Sequence, residues 1–146
     1  MAKLCAKGVL IGGLVDVVAS VVLGIPVAFY ALSRLDLTTI PKSQIESVMV
    51  MGIYGNRLLY ATQLLLGLAC SVLGGYVAAR LANHDEMFNG TLSSFLCIAL
   101  GAYTVVSGTI SSPLLIQTLA FVLSPASGLL GGYLRALRKR SHRLAA

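Results

Sequence analysis

Charge is what this sequence has least of. Only 11% of its 146 residues are charged, against 57% hydrophobic, and the mean hydropathy is +0.87. A soluble domain carries about 25% charged residues, so this chain has too few to cover a globule facing water. The same apolar content argues against disorder, because disordered chains have little to bury. Cysteine is also scarce. Cys5, Cys70 and Cys97 are widely spaced, odd in number, and lack a CxxC or a Cys/His pairing. That argues against a disulfide framework and against a zinc site. No GxSxG, HExxH or Walker A string occurs, so no known catalytic geometry is spelled out. Gly74-Gly75 follows no strand and is not a phosphate loop. The expectation is a non-catalytic protein with no cofactor and no bound metal.

What the sequence does have is long runs without charge. A transmembrane helix needs about 20 mainly apolar residues. One such run covers residues 8–32, between Lys7 and Arg34, and is broken only by Asp16. A second covers 58–79, between Arg57 and Arg80. The third stays uncharged from Met87 to Leu134, 48 residues. As one helix it would be about 72 Å long, over twice the ~30 Å hydrocarbon core. It must fold back, and Ser111-Ser112-Pro113 is the expected turn, since Pro and Ser favour turns and helix starts. Helices at 91–110 and 114–134 follow. The fold expected is all-α: one domain over residues 1–146, a polytopic membrane protein built as a bundle of four transmembrane helices. The first run is too long for a signal-peptide core and no A-x-A site follows it, so it reads as a retained helix.

Lysine and arginine set the orientation of such a protein. With four spans, one side carries Lys3, Lys7, Arg80, Arg135, Arg138, Lys139, Arg140 and Arg143, and the other carries Arg34, Lys42 and Arg57. Both termini are therefore expected in the cytoplasm. In the basic tail, 135–146, the side chains of Arg135, Arg138, Lys139, Arg140 and Arg143 are expected to meet anionic lipid headgroups, at ~1 kcal/mol each. One short basic run does not argue for nucleic acid. The outer loop, 33–57, contains Ser43-Gln44-Ile45-Glu46, which has capping-box spacing. A short helix is expected through Val48-Met49-Val50-Met51, broken by Gly52, Gly55 and Asn56. It would lie at the membrane interface, or serve as a lid or docking element.

Helices in lipid associate through close packing at small residues and through hydrogen bonds. Gly8, Gly12, Asp16, Ser20 and Gly24 recur at four-residue spacing, as do Gly67, Ser71, Gly75 and Ala79, and Ser124, Gly128 and Gly132. Such spacing puts each set on one ridge. Gly8, Gly12, Gly67, Gly75, Gly128 and Gly132 are thus the expected packing positions, and surplus small faces would admit a homo-oligomer or a membrane-protein partner. Residues 71–81, SVLGGYVAARL, also align with 128–138, GLLGGYLRALR. Duplication explains the match, and so does shared demand for tight packing, a headgroup-level Tyr and a following Arg.

The string Gly74-Gly75-Tyr76-Val77-Ala78-Ala79-Arg80-Leu81-Ala82, followed by Asn89-Gly90-Thr91-Leu92, resembles uncharacterised small four-helix membrane proteins of bacteria. In those a G-G-Y-x-A-x-R-x-A stretch ends helix two and a polar-Gly-x-Leu string opens helix three. The similar part covers about residues 71–96. The resemblance implies a bacterial inner-membrane setting and carries over no functional residue.

Asp16 is the residue most expected to do work. A carboxylate at the centre of a membrane helix costs about 2.5–3.5 kcal/mol, and such groups usually face the bundle interior or an ion path. Counted from Gly8, it lies about 12 Å deep. The same depth on the other helices reaches Ser71, Cys97 and Ser127. Pro125 nearby deprives the Phe121 carbonyl of its helical partner. A polar layer of Asp16, Ser20, Ser71, Cys97 and Ser127 is therefore expected, with no Lys or Arg at its level. It would either bond helices together or line a proton or cation path. Gln63 and Gln117 would bond each other or backbone, and His84-Asp85-Glu86 would form a solvated turn. The function class expected first is an accessory or scaffold subunit, or a homo-oligomer. The alternative is a small transporter or channel using Asp16.

Overall fold

The computed structural model describes residues 3–35, 40–106 and 114–144. Among them every regular element is helical: α1 Ala6–Ser33, a 3-10 turn Lys42–Gln44, α2 Ile45–Gly55, α3 Arg57–Ala82, α4 Glu86–Val106 and α5 Leu114–Leu144. Of these, α1 with 28 residues and α3 with 26 are long and apolar enough to cross a membrane. The expected turn at Ser111-Ser112-Pro113 lies outside the described residues.

The helices outrun the uncharged runs. Charges mark where a chain can meet water, but they do not stop a helix. So α4 begins at Glu86 rather than at 91. Likewise α5 continues through the basic tail to Leu144, because Arg, Lys and Leu are good helix formers and no Gly or Pro follows Tyr133. The outer loop holds a helix, but it starts differently. Ser43 lies inside the 3-10 turn, and Gln44 occupies the N-cap position of α2 with no side-chain cap bond. Gly52 sits within α2 and does not break it. The break comes at Asn56, whose Oδ1 accepts from the Leu58 and Leu59 amides at 3.0 and 3.3 Å and so caps α3.

The long helices form a bundle with α3 touching α1, α4 and α5, while α1 packs on α3 and α4. Glycine sets the spacing. A Cβ on Gly12 would sit 2.6 Å from the Gly74 carbonyl oxygen, and one on Gly74 would sit 2.7 Å from that of Gly12. Gly8 faces Ala78 in the same seam, at 3.0 Å from its carbonyl oxygen. A second seam joins α3, α4 and α5: Gly75 lies against the Gly128 backbone, Gly128 against Gly90 and Ser94, and Gly132 against Glu86 and Met87. The two similar stretches thus lie side by side, Gly75 beside Gly128 and Gly131 beside Val72. Gly67 is a correction. Among the described residues nothing lies within 4 Å of its would-be Cβ, so it lies in neither of these seams. The ridge through Gly67 and Gly75 turns from open space to contact along its length, since α1 and α5 flank α3 on adjacent faces.

The bundle is apolar outside and polar within. Its buried side chains include Asp16, Ser71, Asn89, Ser93 and Ser94, together with Ala78, Ala79 and Cys70. Along α1 the residues Leu10, Leu14, Val18, Val21, Ile25 and Phe29 are exposed. Soluble proteins sort the other way.

Candidate functional site

One cavity of about 510 Å³ opens between α1, α2, α3, α4 and α5. Its α1 wall is a single ridge, Asp16, Ser20, Gly24 and Ala28. At 1.5 Å per residue that ridge is about 18 Å long. From α3 come Tyr60, Gln63, Leu64, Gly67, Leu68 and Ser71, and from α2 come Met49, Val50, Ile53 and Tyr54. Cys97, Ile98 and Gly101 of α4 and Phe121 and Ser124 of α5 complete it. The room comes from glycine: Gly67 has empty space where a side chain would be, and Gly24 has only the Gln63 amide at 3.8 Å.

Asp16 forms the floor and is 1% exposed. Ser71 donates its hydroxyl to Oδ2 at 3.0 Å, and Ser20, one turn on, donates to Oδ1 at 3.5 Å. The Cys97 thiol also reaches this carboxyl group. Four of the five expected members of the polar layer therefore meet. Ser127 does not. Its hydroxyl donates to the Leu123 carbonyl at 3.0 Å within its own helix, and Ser124 faces the cavity instead. Counting depth fixes height along a helix but not the direction faced. Gln63 lines the cavity, while the side chain of Gln117 lies outside the described residues. Tyr54 and Tyr60 pack with ring centroids 5.7 Å apart, joining α2 to α3 at the end of the cavity away from Asp16.

A second polar cluster lies at the α3–α4 turn. Asn83 ends α3 with a left-handed backbone, φ 56°, which Asn tolerates. The Asn89 side chain is fully buried. Its Oδ1 accepts from the Cys5 amide at 2.8 Å, and its Nδ2 donates to the carbonyls of Lys3, His84 and Asp85 at 3.1, 3.1 and 3.2 Å. Asp85 Oδ2 accepts from the Lys3 amide at 2.8 Å. Lys139 donates to Glu86 Oε1 at 2.6 Å and to the Asn83 carbonyl at 2.8 Å. His84-Asp85-Glu86 is therefore not simply a solvated turn. It ties Lys3 and Lys139 to the same end of the bundle.

Lys139, expected to face headgroups, is held inside this cluster. Arg138 is exposed and donates to the Tyr76 hydroxyl at 3.3 Å. Arg135 is half-buried, with its Nε unpartnered, and Arg140 is exposed. The Arg143 side chain lies outside the described residues.

The Lys139–Glu86 pair has a pH signature. Its hydrogen bond holds the Glu86 carboxyl below its ordinary value of 4.5, partly opposed by burial. A carboxyl lowered by folding stabilises the fold fully above its unfolded value and loses that contribution as pH falls through its folded one. Wild type should therefore lose about 1–2 kcal/mol as pH falls from about 4.5. Glu86→Gln should lack that portion of the acid-induced drop. Thermal unfolding of both proteins from pH 7 to pH 3 tests this, and parallel curves would refute it.

Compared with known protein families, curated proteins and solved structures, the chain matches none.

Proposed function

We propose that this is a non-catalytic, four-span protein of the bacterial inner membrane, with both termini in the cytoplasm. We further propose that it works as a small transporter or channel whose proton or cation site is Asp16. The membrane reading is supported by the inverted sorting of side chains and by α1 and α3, each long enough to span. The orientation draws on the excess of Lys and Arg at the end where Lys3 and Lys139 meet the α3–α4 turn. The bacterial setting draws on the resemblance of residues 71–96. On this reading the exposed Arg138 and Arg140 face anionic lipid.

A single observation carries the functional reading. Asp16 is buried, yet it forms the wall of a cavity of about 510 Å³. A carboxylate that only bonded helices together would need no cavity above it. The small-residue ridges also favour transport over a homo-oligomer, because Gly8, Gly12, Gly75, Gly128 and Gly132 are used up within one chain.

Reconstitution in liposomes tests this. A proton or monovalent-cation flux is expected with wild-type protein, at least tenfold slower with Asp16→Asn that assembles normally. Absence of flux in wild type, or equal flux in the variant, would refute it. A stoichiometric protein partner co-purifying from native membrane, with no flux, would instead favour the accessory-subunit reading.

A further inference from the structure

We infer that the cavity binds a linear amphiphilic monocation, with its ammonium group on Asp16 and its alkyl chain along the α1–α3 wall. The inference rests on the reading of Asp16 as a cation-handling residue and names the ligand for that site. Charge comes first. Among the described residues the cavity wall includes Asp16 and no Lys, Arg or His. The groups that reach the carboxylate, Ser20, Ser71 and Cys97, are neutral. They position the carboxylate but leave its charge unbalanced.

Coordination comes next. A hard inorganic cation takes about six oxygen ligands. Around Asp16 the described wall offers side-chain oxygens from Ser20, Ser71 and Ser124, and the Ser124 hydroxyl has no hydrogen-bond partner there. A primary ammonium has three donors, and the Asp16 carboxylate with the Ser20, Ser71 and Ser124 hydroxyl oxygens can accept all of them. Shape completes the case. Beyond the floor the wall is mainly apolar, through Ala28, Val50, Ile53, Leu64, Leu68 and Ile98. It continues for about 18 Å along α1, and its volume falls within the roughly 300–1,000 Å³ of small-molecule sites. A bare ion would leave that length unfilled. A neutral lipid chain would fill it and leave the carboxylate without a counter-charge. A single-chain amine satisfies both ends.

The test uses the full chain in nanodiscs of uncharged lipid, titrated calorimetrically with octylammonium and with octanol at pH 7. Wild type should bind octylammonium saturably at one site and octanol at least tenfold more weakly. Asp16→Asn should weaken octylammonium binding at least tenfold. Gly67→Leu keeps Asp16 and intrudes into the cavity where no atom stands, so it should produce the same loss even if Asp16→Asn fails to fold. Equal binding of octanol and octylammonium would overturn the inference and mark the cavity as a lipid-chain site. Unchanged octylammonium binding in Asp16→Asn or in Gly67→Leu would overturn it as well. If octylammonium does not bind while liposomes retain Asp16-dependent proton flux, this inference falls and the transport reading stands. If both are absent, both fall.

Discussion

Replacing Gly75 with leucine is expected to take the bundle apart, while the same replacement at Gly67 leaves it folded. The two sites share a helix, a residue type and a place on the same four-residue ridge. They differ in what a side chain would meet. At Gly75 the nearest atoms all belong to the backbone of Gly128. No side chain can rotate away, so α3 and α5 must separate. Overpacking costs about 1–3 kcal/mol in ordinary cores and occasionally more. A clash against backbone should fall at the upper end of that range or beyond it. Separation would also disturb the contact of Gly128 with Gly90 and Ser94 in α4. At Gly67 nothing lies within 4 Å, and exchanging Gly for a good helix former stabilises a helix by about 0.5–1 kcal/mol. Unfolding in detergent, followed by circular dichroism, should show Gly75→Leu melting far below wild type and Gly67→Leu at or above it. Similar melting of the two variants would mean that the α3–α5 seam is not where the helices are held.

The contrast also shows what the sequence could and could not reveal. A four-residue repeat of small side chains identifies a ridge, and most of the ridge residues do pack. It does not say where along the ridge a neighbour stops. Gly67 belongs to the pattern by spacing and to the cavity by position. The polar layer follows the same logic. Depth counting brought Asp16, Ser71 and Cys97 together, because height depends only on the rise per residue. Ser127 stands at the right height, but its hydroxyl is turned back on its own helix, and Ser124 takes the cavity wall. Rotation about a helix axis depends on packing partners elsewhere in the chain. The contribution of α2 was legible only as a helix in the outer loop. That Met49, Val50, Ile53 and Tyr54 would cover a cavity depends on how that helix lies against α1 and α3. The charged residues misled in a different way. They bounded the uncharged runs well, yet α4 and α5 continue past them, since a charge ends a lipid-facing stretch without ending a helix.

In the sequence Asn89 stands out only as the polar residue that opens a Gly-x-Leu string, and its replacement is expected to have the second large effect. It sits one turn into α4, where a polar residue near a helix start does not reveal its partners. Its partners Lys3 and Cys5 lie more than eighty positions away in the chain, so no local pattern could connect them. Within the fold its amide group makes four hydrogen bonds and joins the start of α1 to the α3–α4 turn. Truncation to alanine would strand the Cys5 amide and the Lys3 carbonyl in a partly buried site. Each stranded group costs about 1–3 kcal/mol, reduced where water can enter. A loss of about 2–4 kcal/mol is therefore expected for Asn89→Ala, concentrated at the start of α1. Asn89→Asp should fall between that variant and wild type, because a carboxylate still accepts from the Cys5 amide but no longer donates to the three carbonyls. Cys5 is a free, half-buried thiol and can report the change directly. Its labelling by a water-soluble thiol reagent should speed up at least tenfold in Asn89→Ala and less in Asn89→Asp, with the thiols of Cys70 and Cys97 unaffected. The alternative is that Asn89 merely fills space and the backbone contacts of Gly8 with Ala78 hold α1 by themselves. Cys5 would then label at the wild-type rate in both variants. Because the same turn also receives Lys139 through Glu86, the effects of Asn89→Ala and Glu86→Gln should not simply add, as expected for neighbours that share one structural unit.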